Sequence, residues 1–354
     1  MEDTLYFIGL VVIGGILIVF GFSFLGGNIS GDFIGQGSTS LFASAFAAVE
    51  TDWSSSVGQF LITFDDFKNS HQEILDQSTQ LKVFDVSGQL EKNVMWVATD
   101  HGLFLSRDGG LTWNRFTSSN NEINSTSLVF KILPASGNGE DYFISVFSNG
   151  KGSVYRTWDY FFNLDKLMDF DGEGAYDIYR SGNNLYFAMS TGQIIRYNIV
   201  TKESRVVNVF KSPVLKIYHP GDGYFYVLLK NGNLAKADTL SAQFQKVSIP
   251  GDWLFNSTPM ENVTFDSGNL YVLTSKGAYV SYDSGETFSI LKSIPIIKNQ
   301  VDALGVHNGV LYVVSDHNLY VSHDGGENWA ITALNNEFKA FHFYFVGQRT
   351  ILSM

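Results

Sequence analysis

The sequence predicts an all-β fold of repeated four-stranded units behind an apolar N-terminal segment. Three observations carry that prediction. A short turn pattern recurs: Ser106–Trp113 reads S-R-D-G-G-L-T-W, Ser281–Phe288 reads S-Y-D-S-G-E-T-F, and Ser322–Trp329 reads S-H-D-G-G-E-N-W. Each copy follows an apolar run (Leu103–Leu105, Ala278–Val280, Leu319–Val321) that reads as a strand. Among 354 residues there are 34 Gly, 30 Phe and 17 Tyr but only 6 Pro, which suits many short strands joined by tight turns.

Taken in order, residues 1–4 are a short polar tail. Leu5–Leu25 is 21 residues without a charge. As a helix it would span about 30 Å, the thickness of a bilayer's hydrocarbon core. No Lys or Arg precedes it, whereas Glu2 and Asp3 do, and the nearest small-x-small pattern, Ala43-Ser44-Ala45, lies far beyond it. A transmembrane helix therefore fits better than a cleaved signal peptide. The first basic residue is Lys68, so the positive-inside bias is nearly silent. The short tail puts the bulk of the chain outside the cytoplasm, periplasmic or at the cell surface. Residues 26–56 read as a flexible linker: Gly26–Ser40 is Gly- and Ser-rich, and the small apolar run Leu41–Val49 suits a short helix.

From residue 57 to 354 the chain repeats. The clearest unit runs Val301–Val306, a His307-Asn308-Gly309 turn, Val310–Ser315, Leu319–Ser322, the Ser-x-Asp turn, then Ala330–Thr332. The unit before it matches, with Val263–Phe265, Asn269–Thr274 and Ala278–Ser281. Three degenerate units lie between these and the first turn copy, around Asp141–Arg156, Asn184–Tyr197 and Tyr224–Lys236. Aligned on the turn serine, markers fall at Ser106, Arg156, Arg196, Lys236, Ser281 and Ser322, spaced by 50, 40, 40, 45 and 41 residues. That is the period of a four-stranded blade. At one end Gln59–Thr63 followed by Phe64–Phe67 aligns with a third strand and a worn turn copy, at the other Phe338–Phe345 and Thr350–Ser353 supply two more strands, and two strands from each terminus make a composite unit. The expectation is a seven-bladed β-propeller closed by strands from both termini, which leaves no free edge.

The turn itself reads as structural. In Ser106, Asp108, Gly110, Trp113, and again in Ser281, Asp283, Gly285, Phe288 and Ser322, Asp324, Gly326, Trp329, each residue has a mechanical task. The hydroxyl and carboxylate hydrogen-bond turn amides, glycine takes positive φ, and the aromatic packs on a neighbouring unit. The pattern S-x-D-x-G-x-[T/N]-aromatic resembles the Asp-box, or BNR repeat, of β-propeller proteins. With an extracytoplasmic anchor and one propeller, the chain resembles the photosystem II stability and assembly factor family and the wider sortilin-like propellers. The resemblance covers about residues 57–354. It implies a propeller more than any one activity. The family's plant and cyanobacterial members carry a basic patch, which this acidic chain does not match, so a photosystem partner is not carried over. Sialidases share the box but need an arginine triad with an early F/Y-R-I-P motif, and that motif is absent from the sequence. Xyloglucanase-type glycosidases need two propellers; true sortilins need a larger one with Cys-rich modules.

Composition narrows the function further. There is no Cys, so disulfides, zinc–thiolate sites and thiol nucleophiles are excluded. A net charge of −12 argues against a nucleic-acid surface. Asp165–Asp177 gathers acidic residues around Gly172 and Gly174, and Asp169, Asp171, Glu173 and Asp177 are candidate Ca²⁺ ligands. Their spacing lacks the acidic residue an EF-hand needs at loop position 12. A solvated acidic loop is the plainer reading. The seven histidines are scattered without metal spacing. Ser118–Thr126 is a polar insertion that a partner could read, and Asn28, Asn124, Asn256 and Asn262 head N-glycosylation triplets.

The expected function is therefore a membrane-anchored, extracytoplasmic propeller that acts as a protein-binding scaffold, an assembly factor, or a subunit of a surface complex or filament. Its partners would be other membrane or surface proteins, or copies of itself, with the bilayer held through Leu5–Leu25. No catalytic residue and no cofactor other than Ca²⁺ is indicated. The alternative is a glycan-binding or glycoside-hydrolysing propeller. That would need a loop-borne carboxylate pair about 5–9 Å apart at the central pocket, to which Asp252 and Glu261 are among the loop acids that could contribute.

Overall fold

The computed structural model describes residues 6–13, 16–23, 45–51, 59–63, 70–75, 81–89, 92–135, 141–248, 263–274, 277–291, 301–315, 318–333, 338–345 and 351–352. The chain divides into two compact units, Met1–Leu41 and Phe42–Met354.

In the first unit, β1 (Tyr6–Ile13) and β2 (Ile16–Ser23) pair antiparallel, with Tyr6 opposite Ser23 and Ile13 opposite Ile16. This departs from the helix expected over residues 5–25. No helix of the described residues is long and apolar enough to cross a membrane. The segment is built largely of Ile, Val and Phe, which favour extended backbone, and Gly14-Gly15 separates its halves in the sequence.

The second unit begins with β3 (Ala45–Thr51), β4 (Gln59–Thr63) and β5 (Ser70–Ile74). Six four-stranded antiparallel sheets follow in chain order. The first holds β6 (Val83–Gln89), β7 (Val94–Thr99), β8 (Gly102–Ser106) and β9 (Asn114–Phe116). The second holds β10 (Leu128–Pro134), β11 (Tyr142–Ser148), β12 (Lys151–Thr157) and β13 (Asp165–Asp171). The third holds β14 (Ala175–Ser181), β15 (Asn184–Met189), β16 (Gln193–Asn198) and β17 (Ser204–Val209). The fourth holds β18 (Val214–Tyr218), β19 (Phe225–Leu229), β20 (Leu234–Ala237) and β21 (Gln245–Lys246). The fifth holds β22 (Val263–Asp266), β23 (Asn269–Thr274), β24 (Gly277–Ser281) and β25 (Ser289–Ile290). The sixth holds β26 (Val301–His307), β27 (Val310–Ser315), β28 (Asn318–Ser322) and β29 (Ala330–Ala333). Last come β30 (Phe338–Phe345) and β31 (Ile351–Leu352).

Two expectations are corrected here. Among the described residues the four-stranded blades number six, not seven. Strands from both termini do meet, but in a five-stranded sheet of order β31-β30-β3-β4-β5. The cause is the Ala45–Thr51 stretch, expected within a linker and a short helix. It is a strand instead, and it pairs β30 on one side and β4 on the other. The alternation of Phe46, Ala48 and Glu50 with small or β-branched neighbours fits an extended strand as well as a helix.

Consecutive blades pack face to face through apolar clusters. Trp96 and Leu103 of blade one meet Tyr142 and Ile144 of blade two. Phe143 and Val154 then meet Ile178 and Phe187, and Ala188 and Ile194 meet Val214 and Val227. Tyr226 and Leu228 meet Val263 and Leu270, and Tyr271 and Leu273 meet Leu304 and Leu311. Blades two to five thus bury both faces, as a stacked repeat must.

The Ser-x-Asp turns close the third strand onto the fourth. In all three, the serine Oγ donates to the aspartate Oδ1 (2.7, 2.8 and 2.8 Å) and accepts from the glycine N–H at 2.8, 2.7 and 2.8 Å. The aspartate then accepts from the backbone and side chain of Thr112, Thr287 or Asn328. Gly110, Gly285 and Gly326 sit at φ of 99°, 83° and 95°, where a side chain is strained. A fourth copy was hidden in the sequence. Thr157, Asp159 and Asn163 make the same bonds, with Tyr160 and Phe161 at φ of 56° and 66° where the others place Gly or Ser and Gly. The third strands end at Ser106, Thr157, Asn198, Ala237, Ser281 and Ser322. The sequence markers Arg156, Arg196 and Lys236 therefore fall one, two and one residues early. They were placed by apolar pattern alone, which does not locate a strand's last residue.

Candidate functional site

The first strand of each blade packs against the first strand of the next, from β6 to β10 to β14 to β18, and from β22 to β26. These inner strands share a device. In β6, β10, β14 and β18 the register shifts at Phe84, Phe130, Tyr176 and Leu215, where one extra residue bulges. Phe84 packs on Phe130 at 5.2 Å between ring centroids, and Phe130 on Tyr176 at 5.0 Å. The residue after each bulge is charged: Asp85, Lys131, Asp177 and Lys216. All four are buried.

Their partners are specific. Lys131 Nζ lies 3.2 Å from Asp85 Oδ2 and 3.7 Å from Asp177 Oδ1. Asp85 Oδ2 accepts from the Ile132 N–H at 2.8 Å, and Asp177 Oδ2 accepts from the Ile217 N–H at 2.9 Å. Each carboxylate thus ties its strand to an inner strand of a later blade. Burial raises Asp85 above the usual carboxylate range, against the pull of Lys131 and Lys216. Burial, reinforced by the like charge of Lys131, lowers Lys216 to about 8 against the attraction of Asp177 and Asp85.

Beside these groups opens a cavity of about 540 Å³. Lys131, Asp177 and Lys216 contribute its charged lining, and Tyr179, Tyr218, His219 and Phe265 its rings. The rings brace one another. Tyr179 stacks on His219 at 6.2 Å, His219 meets Phe225 at 4.4 Å, and Tyr218 meets Phe265 at 5.1 Å. His219 is exposed at the rim, whereas Tyr179 and Tyr218 are half-buried. Asp177 is the one carboxylate among the lining residues.

The predicted Ca²⁺ ligands do not converge, which corrects that candidate. The Asp165–Asp177 stretch is a strand, a turn and a strand rather than a loop. Asp169 and Asp171, on the blade's outermost strand, pair with Lys151, and Asp169 also meets Lys166 and Ser153. Glu173 accepts from Thr191, and Asp177 sits on the inner strand. Among the described residues no group of three or more His, Asp or Glu is placed to hold a metal. The Ser118–Thr126 insertion is anchored rather than loose. Ile123 is buried beside Trp96 and Phe161, and Tyr155 Oη donates to Glu122 at 2.7 Å. Asn124 spends its amide on the Asn121 carbonyl. Asp252, Glu261, Asn28, Asn256 and Asn262 lie outside the described residues. Sequence reasoning passed over Asp85, Lys131, Lys216, Tyr179 and Tyr218. Their signal was there as a repeated triplet: Val83-Phe84-Asp85, Val129-Phe130-Lys131, Ala175-Tyr176-Asp177 and Val214-Leu215-Lys216.

No protein-family model matches the chain, and no curated protein matches it. Solved structures do. YCF48 from Cyanidioschyzon merolae superposes with a TM-score of 0.59 at 10% identity, over 79% of this chain and 95% of that one. In fold, this chain is a β-propeller. YCF48 bound to D1 peptide gives 0.52 at 16% identity, over 77% and 90% of the two chains. The extracellular domain of the putative one-component system BT4673 from B. thetaiotaomicron gives 0.55 at 15% identity, over 78% of this chain and 38% of that one. At such identities the likeness is one of fold alone.

Proposed function

We propose that this chain is a protein-binding propeller that holds a segment of a partner at the aromatic-rimmed pocket, as an assembly factor or a subunit of a surface complex. The carrying observation is that pocket. Its charges stand on bulged inner strands braced by neighbouring blades, and its rings pack on one another, so the surface is preformed. Among the solved relatives in fold, YCF48 has been seen bound to a D1 peptide, and the BT4673 domain is extracellular. Both support a binding role for this kind of scaffold.

The glycoside-hydrolase alternative needs two carboxylates facing the scissile bond. Among the described residues the pocket lining offers Asp177 alone, already engaged by Lys131 and the Ile217 N–H. The box aspartates are bound within their own turns.

We further propose that Leu5–Leu25 anchors the chain to a membrane with the propeller outside the cytoplasm. The support is the charge-free length of the segment. A lone two-stranded hairpin leaves its edges unsatisfied in hydrocarbon, so insertion requires this segment to become helical. The Asp-box reading of the Ser-x-Asp turns belongs to the same proposal.

The test is a mild-detergent pull-down of the full-length chain from its own membranes, with mass spectrometry, run beside a Tyr179→Ala/His219→Ala variant. A stoichiometric protein retained by the parent and lost from the variant supports the reading. A partner retained equally by both rejects the pocket, and recovery of the chain alone rejects the scaffold.

A further inference from the structure

Lys216 is a buried cation that Asp85 and Asp177 attract without touching it. It is 2% exposed, yet its ammonium makes no ion pair and no hydrogen bond among the described residues, while Lys131 takes both neighbouring carboxylates. The two oxygens of Asp177 are occupied by Lys131 and by the Ile217 N–H. An ammonium that burial disfavours and that no acceptor contacts gains from one brought to it. Lys216 also lines the cavity, so the missing acceptor can come from a ligand.

We infer that Lys216 is the anchor for a carboxylate borne by an aromatic or apolar group of the protein partner seated in this pocket. The inference rests on the protein-binding reading and names the chemistry of the segment held. A carboxylate supplies the direct, charged acceptor that Lys216 lacks. A cationic group would meet Lys131 and Lys216 together, and a neutral amide would offer only a weaker, uncharged acceptor. The ring faces of Tyr179, Tyr218 and Phe265 accept the apolar part of the same ligand. Two sources carry this chemistry, a chain's C-terminal carboxylate and an Asp or Glu side chain beside an aromatic residue.

The lysine's environment adds a pH signature. The groups facing it are Asp85 on β6, Lys131 on β10, Asp177 and Tyr179 on β14, and Tyr218 and His219 at the end of β18. Burial pushes both Tyr179 and Tyr218 upward. Lys216, lowered to about 8, is mostly protonated at pH 7 and mostly neutral at pH 9.5. Carboxylate binding should therefore weaken between those two values.

The experiment is a ligand-observed NMR titration of the full-length chain. Its probes are N-acetylphenylalanine, N-acetylphenylalaninamide and N-acetyl-aspartyl-phenylalaninamide, at pH 7 and 9.5, with Lys216→Met and Lys246→Met variants alongside. The expected result is at least tenfold tighter binding of the free acid than of the amide at pH 7. That preference should be lost in Lys216→Met and at pH 9.5, and kept in Lys246→Met, which removes an exposed lysine of the outermost strand β21 away from the pocket lining. Binding of the aspartyl probe as well assigns side-chain carboxylates; binding of the free acid alone assigns a chain terminus. Equal binding of acid and amide, a preference that survives Lys216→Met, or no binding of any probe overturns the inference. A partner lost only from the pocket variant in the pull-down would then leave the protein-binding reading standing.

Discussion

At the scale of single residues, the Ser-x-Asp turns and the inner-strand charges make opposite contributions. Ser106, Ser281 and Ser322 are buried, and each satisfies a glycine N–H that would otherwise be orphaned. Ser322→Ala is expected to lower the stability of the fold by about 1–3 kcal/mol, read as a fall in the urea midpoint. Ser322→Thr should stay near the parent, because Thr157 already performs this role in blade two. The aspartates add an acid signature. Hydrogen bonds from the Thr287 side chain and backbone lower Asp283 to about 2, and those from the Asn328 backbone and side chain do the same for Asp324. A folded value below the unfolded one, roughly 3.9, favours the ionised form in the fold. This stabilisation is complete above pH ~4 and is lost as pH falls toward 2. Asp283→Asn/Asp324→Asn should therefore flatten the fall in melting temperature across that window. Lys216 works the other way. Its folded value near 8 lies below the usual lysine range, so the parent gains stability as pH rises from 8 to about 10.5. Lys216→Met should remove this rise, read as a flatter dependence of melting temperature on pH between 8 and about 10.5.

At the scale of elements, the decisive strand is β3. It joins the N-terminal β4 and β5 to the C-terminal β30, through six paired positions from Phe46–Tyr344 to Thr51–Phe338. Ending the chain at Glu337 removes β30 and β31, strips one edge of β3 bare, and takes away the neighbour of β26. The truncated chain is expected to lose cooperative thermal unfolding and to elute as aggregate on size exclusion, as an unpaired apolar edge predicts. This element also marks the limit of what could be read in advance. The blade period was legible because the glycine and aspartate of three turns recur in fixed order and apolar runs of strand length precede them. The fourth turn was not, since Tyr160 and Phe161 occupy left-handed positions that the other copies give to Gly or Ser. Ala45–Thr51 was missed because an alternation of small apolar residues does not separate strand from helix without its pairing partner. The Leu5–Leu25 segment carries the same ambiguity, being free of charge and apolar at nearly every position. The site was less legible still. A lone Phe-Asp or Phe-Lys says nothing, and only the bulge that β6, β10, β14 and β18 share turns Asp85, Lys131, Asp177 and Lys216 into one row.

At the scale of the whole molecule, the propeller presents a preformed pocket whose rings are braced by adjoining blades and whose charges are fixed by inner-strand bulges. Rigidity of this kind lowers the ordering cost of binding and lets a modest interface be specific. The central claim is that a segment of another protein occupies this pocket. A photo-crosslinking amino acid placed at the exposed rim residue His219, in the full-length chain in its own membranes, tests it most directly. The predicted result is one discrete protein adduct whose peptide map returns a single partner segment, abolished by Tyr179→Ala. A chain that crosslinks to no protein, or to many at random and equally with Tyr179→Ala, would contradict the account.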